Sequence, residues 1–198
     1  MADRRVERFS RTERTLHWVH ATAFLVLLAS GAVLWSPRLA EVVARRPLVE
    51  EVHLYTALVW AFAVVLVVQL GDRERLRRTL RELELFDRDD RRWLLGRRMP
   101  QGRFNAGQKL NAALTAAFAV LFAVSGLLLW LGETIPFFRS AGALVLHDGV
   151  AAASLVLLVG HLYLSVIHPA TRHSLQGMTR GTVSEEWARK HHAKWVDS

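Results

Sequence analysis

The chain has no cysteine among its 198 residues. That absence excludes thiolate-held iron–sulfur clusters, cofactor attachment through C-x-x-C-H, and disulfides. Charge is scarce in a positional sense. Charged residues make up 22% of the chain and hydrophobic ones 52%, yet four stretches are almost free of charge: roughly 16–35, 54–70, 110–131 and 143–167. Each approaches or exceeds the ~20 residues needed to cross a ~30 Å hydrocarbon layer. A soluble domain would mix these residues along the chain. The segregation predicts an all-α membrane protein built as a four-transmembrane-helix bundle.

The net charge of +8 is distributed by loop. Arg4, Arg5, Arg8, Arg11 and Arg14 precede the first stretch, twelve basic residues lie between the second and third, and five follow the fourth. Arg38, Arg45, Arg46 and Arg139 alone occupy the other two connections. Twenty-two against four on alternate loops is the positive-inside asymmetry, and it puts both termini in the cytoplasm. No basic motif is interleaved with aromatics, so nucleic acid is not an expected partner. The arginine-rich start runs into the first stretch without a small-residue cleavage site, which reads as a retained helix.

One membrane domain over residues 1–198 follows, with helices over about 15–35, 52–70, 109–131 and 144–167. A cytoplasmic loop spans 71–108 and a cytoplasmic tail 169–198. Within that loop, Leu76, Leu80, Leu83 and Phe86 recur at helical spacing beside arginines, as in a helix lying on the inner membrane surface or packing on a partner protein. A weak repeat links the two outward-running helices: Ser30-Gly31 ends in Trp35, and Ser125-Gly126 ends in Trp130. The tryptophans fit an outer interfacial belt. The glycines admit close approach of a helix or a flat ring system.

Nine histidines are sorted by this topology. His147 and His161 sit fourteen residues apart on one helix, about 21 Å along its axis and on nearly one face. His53 matches the outer depth and His17 the inner. His20 lies three residues after His17 on a similar face and competes with it. His168 is too shallow to share a site with His161, and His173, His191 and His192 belong to the tail. Buried imidazoles in a membrane require a function or a satisfied partner. Two depth-matched pairs, His53 with His147 and His17 with His161, each drawn from two helices, suit bis-imidazole ligation of two b-type haems. No Glu-x-x-His pair supports a dinuclear metal centre.

Two cytoplasmic stretches narrow this further. Residues 103–109 read RFNAGQK. The tail reads GMTRGTV over 177–183, then Trp187-Ala188-Arg189-Lys190-His191-His192 and Lys194-Trp195. With the four histidines and Tyr163, they make the chain resemble the cytochrome b (gamma) subunit of respiratory formate dehydrogenases over about residues 11–196. The resemblance implies a multi-pass protein of the bacterial inner membrane carrying two haem b. It implies a partner iron–sulfur beta subunit and a catalytic alpha subunit with a molybdenum or tungsten pterin, since this chain holds no formate-oxidising site. Electrons would pass from outside through the haem on His53 and His147, then the haem on His17 and His161, to menaquinone or ubiquinone. The quinone would bind near Asn105, Gly107, Gln108 and His161. The same residues leave room for the anchor of a hydrogenase or another molybdenum oxidoreductase, and for a stand-alone b561-type di-haem cytochrome. Asn105 has a second reading as the N-cap of helix three.

Overall fold

The computed structural model describes residues 4–197; residues 1–3 and 198 lie outside it. Its elements, in chain order, are β1 (Arg5–Glu7), α1 (Arg11–Trp35), α2 (Pro37–Val43), α3 (Arg46–Leu70), α4 (Arg73–Glu84), α5 (Arg88–Leu94), α6 (Ala106–Thr134), α7 (Ala141–Leu162), α8 (Leu175–Arg180), β2 (Thr182–Ser184), α9 (Glu185–His191) and α10 (Ala193–Val196). Helices α1, α3, α6 and α7, the last continued to Ile167, are long and apolar enough to cross a membrane. Their outer faces are large apolar side chains: Phe62 is 69% exposed, Val65 57%, Val156 74% and Val159 60%. Such surfaces are stable against hydrocarbon rather than water.

The chain divides into two compact units. One is Glu7–Thr79 with Met178–Gly181; the other is Leu80–Gly177 with residues 4–6 and 182–197. In the first, α1 begins in a capping box. Ser10 Oγ accepts from Glu13 N at 3.3 Å, and Glu13 Oε2 accepts from Ser10 N at 2.7 Å. The buried Glu13 carboxylate also accepts from Thr79 Oγ1 at 2.6 Å and meets Arg75 at 3.7 Å, which ties the start of α1 to α4. Contacts at three levels align α1 with α3 as an antiparallel pair. Ser30 meets His53, His20 meets Trp60, and Thr12 Oγ1 accepts from Asp72 N at 3.0 Å. At that last level a methyl on Gly71 would fall 2.3 Å from Thr12 Cγ2, so only glycine fits there.

In the second unit α6 and α7 form the corresponding hairpin, joined by a 3₁₀ turn over Pro136–Phe138. Gly132 backs directly onto Arg139 at this corner, where a methyl would lie 3.0 Å from Arg139 Cα. Past His161, α7 widens into a π-helical turn over Tyr163–Ile167, closed by His168 N donating to Tyr163 O at 2.8 Å. Loop and tail also contribute buried residues to this unit: Gln101, Arg103, Phe104, Val183, Ala188 and His192. His192 Nδ1 is 2.6 Å from Gly102 O, and Lys194 N donates to Gln101 O at 3.1 Å. The tail therefore packs on this chain's own loop before α6. Two three-residue strands, β1 and β2, pair with each other, an element that hydropathy gives no sign of.

All four long helices start before their apolar runs do. Hydropathy marks the part that sits in hydrocarbon, whereas Ser10, Asn105, Ser140 and the proline in the first turn of α3 mark where the backbone turns helical.

Two lysines fasten the loop of the second unit through ion pairs. Lys109 Nζ lies 2.6 Å from Asp90 Oδ2 with side chains only 11% and 5% exposed, and it also donates to Leu85 O at 2.7 Å. Asp90→Ala leaves a buried ammonium without its carboxylate, and the expected loss is about 3–5 kcal/mol in denaturant unfolding. The double variant Asp90→Asn, Lys109→Met recovers most of it. Lys194 Nζ joins Asp87 at 2.8 Å and Asp89 at 2.6 Å. Its hydrogen bond to Asp87 holds that carboxyl below the ordinary carboxylate value and raises the lysine. A carboxyl with a lowered folded-state pKa stabilises above its unfolded value of ~4 and loses that contribution as pH falls through the folded value. Spin labels on Arg88→Cys and Lys190→Cys should give a narrow distance distribution at neutral pH that broadens below about pH 4. With Lys194→Gln it should be broad throughout.

Candidate functional site

His53 sits in the first turns of α3 against Ser30 and Gly31 of α1. Ser30 Oγ lies 2.8 Å from Val26 O and 2.8 Å from His53 Nδ1. A hydroxyl has one proton. Spent on the carbonyl four residues back, as mid-helix serines do, it leaves the oxygen to accept from the ring. His53 therefore carries its proton on Nδ1 and its lone pair on Nε2, an assignment drawn from the hydrogen-bond network. The ring edge rests on Gly31, where a methyl would lie 3.4 Å from His53 Cε1.

His147 repeats the arrangement in the second unit. Ser125 Oγ lies 2.7 Å from Leu121 O and 2.9 Å from His147 Nδ1, and a methyl on Gly126 would lie 3.5 Å from His147 Cε1. Phe122 adds an edge-on contact with ring centroids 5.1 Å apart. Both serines are buried, Ser125 completely. The Ser-Gly repeat visible in the sequence is thus a histidine cradle. What approaches each glycine closely is the imidazole of the neighbouring helix. Sequence reasoning credited the glycines and passed over the serines, though the same dipeptide at one depth in two helices was the available signal.

Each unit holds a second imidazole at the same interval. Gly31, level with His53, is fourteen residues from His17 along α1, and His161 is fourteen residues from His147 along α7. Both intervals are about 21 Å. His17 meets Trp18 edge-on at 5.2 Å. His20 stacks on Phe24, with centroids 6.1 Å apart, and leans on Trp60 at 5.7 Å. His161 is the last histidine before the π-helical turn, a feature often found beside functional residues. His168 lies beyond that turn, with Nδ1 3.3 Å from Thr171 Oγ1 and its ring edge-on to Tyr163. His173, His191 and His192 surround Trp187 at centroid distances of 5.1–5.4 Å.

Asn105 and Gln108 open α6 as a reciprocal capping box. Asn105 Oδ1 accepts from Gln108 N at 2.9 Å, and Gln108 Oε1 accepts from Asn105 N at 3.1 Å. Gln101 Oε1 takes the amide of Ala106 at 3.0 Å, so a second side chain serves the helix start. Gly107 leaves room for Trp93, whose ring would be 3.3 Å from a methyl there. The capping reading of Asn105 is what the geometry displays, and the box commits the oxygens of both amides to backbone donors.

A neutral imidazole whose Nδ1–H is held by a hydroxyl presents Nε2 to a metal, the orientation that ligating histidines adopt. With thiols absent, imidazoles are the donors that the helices themselves offer to haem iron. This donor set fits a non-covalently held haem b. Known proteins bear on the same point. The chain is 27% identical to the cytochrome b556(fdo) subunit of formate dehydrogenase from Escherichia coli K12, over 96% of this chain and 91% of the relative. It is 23% identical to the formate dehydrogenase cytochrome b556 subunit of Haemophilus influenzae, covering 98% and 83%. It is 23% identical to the nitrate-inducible cytochrome b556(Fdn) subunit of Escherichia coli, covering 92% and 86%. The profile described as prokaryotic cytochrome b561 matches residues 8–181. With its four apolar helices and its cradled histidines, this chain belongs to the prokaryotic cytochrome b561 family of integral membrane proteins that bind haem b.

Proposed function

We propose that this chain is the membrane cytochrome b subunit of a formate dehydrogenase complex, connecting an iron–sulfur subunit outside the inner membrane to a quinone near its cytoplasmic face. The observation that carries the reading is the repeated interval: His147 and His161 lie fourteen residues apart on α7, and on α1 His17 lies fourteen residues from Gly31, the residue against which His53 rests. His53 and His147 are the ligands of an outer haem, and His17 and His161 those of an inner one. Haem b, when bound, supplies one-electron redox chemistry at these two depths. The names of the curated relatives support formate as the primary donor, oxidised in a separate pterin-bearing subunit. The loop-charge asymmetry supports cytoplasmic termini.

The histidines contribute ligation, and the helices fix their separation. Ser30 and Ser125 hold two of the rings in the ligating tautomer. Low dielectric and exclusion of water come from the apolar faces of α1, α3, α6 and α7. Near the start of α6, the capping box occupies the oxygens of Asn105 and Gln108. Recognition of a quinone carbonyl there falls to their NH₂ groups, which are donors of the right sense. Gly107 acts by admitting Trp93 beside that helix start.

The test is a reduced-minus-oxidised spectrum with haem quantification on the purified complex, together with identification of co-purifying subunits. Two haem b per chain and a pterin-bearing partner are expected; no haem would sink the reading. His161→Ala should lose one haem and abolish quinone reduction, while formate-dependent reduction of a soluble dye survives in the assembled complex. Gly126 offers a steric check. An added methyl meets His147 at ordinary contact distance, so Gly126→Ala should keep both haems. Gly126→Leu should displace the ring and lose one.

A further inference from the structure

The two cradles have a consequence for electron energetics that rests on the ligand reading above. We propose that Ser30 and Ser125 are positioning residues that set the reduction potential of the outer haem through its two ligands, His53 and His147. Each serine is held by a backbone carbonyl, Val26 O at 2.8 Å and Leu121 O at 2.7 Å, so its oxygen is fixed as an acceptor toward Nδ1. The Nδ1 contacts, 2.8 Å and 2.9 Å, are within ordinary hydrogen-bond length. Each bond spans the same helix-to-helix step, and each ring rests on the glycine that follows its serine.

An accepted Nδ1–H bond increases negative charge on the imidazole and makes Nε2 a stronger donor. A stronger donor favours ferric over ferrous iron and lowers the potential. Two such bonds, one on each of the two histidines, would act in the same direction on a haem that both hold. The other haem is beyond their reach: His17 lies fourteen residues from Gly31 and His161 fourteen from His147, about 21 Å away. The serines therefore adjust one station without moving the other. They also block the alternative tautomer, which would place the proton on the ligating nitrogen.

The test is a potentiometric titration of the purified complex carrying Ser30→Ala, Ser125→Ala and both. Loss of one bond should shift one haem toward its reduced form roughly threefold at fixed potential, with the double variant shifted further. The second haem should keep its midpoint, and the low-temperature spectrum of the shifted haem should change with it. Ser30→Thr and Ser125→Thr keep the hydroxyl and should keep the wild-type midpoint. Should an alanine variant lose its haem, restoration by threonine supports the same role, and failure of threonine to restore it refutes it. Both midpoints unchanged in a double variant with full haem content would overturn the proposal while leaving the ligand assignment standing. Wild-type protein without haem would instead overturn the ligand assignment.

Discussion

An imidazole in hydrocarbon has two nitrogens to satisfy, and much of this structure follows from that requirement. Unpaired polar groups cost several kcal/mol away from water, so a helix carrying one must bring a partner from elsewhere. In each hairpin the partner is a serine on the adjoining helix, itself returned to its own backbone so that its proton is already committed. The glycine beside it leaves the ring free of any side chain larger than a methyl at that point. Ser-Gly on one helix and His on the next is the smallest unit that settles one nitrogen and orients the other. The chain builds that unit twice.

The opposite problem arises at the other end of the helices, where the chain returns to polar surroundings and must satisfy backbone amides. Ser10 with Glu13, and Asn105 with Gln108 and Gln101, share that task at α1 and α6. Charged groups then act as fasteners. Glu13 draws in Thr79 and Arg75, Asp90 draws in Lys109, and Lys194 brings the tail to Asp87 and Asp89. The membrane-spanning parts hold together by small residues, apolar contact and the two serine–histidine bonds, while the polar ends carry the capping bonds and the ion pairs.

Properties repeated along a helix were legible in the sequence. Charge-free runs located four helices, and counting by 3.6 put His147 and His161 on one face. Properties that depend on a distant residue were not. His192 is buried against Gly102 O, ninety positions away, and no local pattern announces that contact. Ser125 looks like any small residue in a membrane helix until His147 is seen beside it. Asn105 had two readings because an amide can both cap a helix and bind a carbonyl, and only its distance to Gln108 N displays the first. The β1–β2 pair is too short to leave a period in the sequence.

The π-helical turn over Tyr163–Ile167 bears on how such a protein tolerates change. A wide turn holds one residue more than an α-turn would and rotates everything after it. Placed between His147 and His161, it would swing one imidazole off the shared face. Placed immediately after His161, it lets the helix end and the tail be re-aimed while the spacing upstream stays fixed. An added residue is therefore absorbed below His161, where it leaves the fourteen-residue interval unchanged.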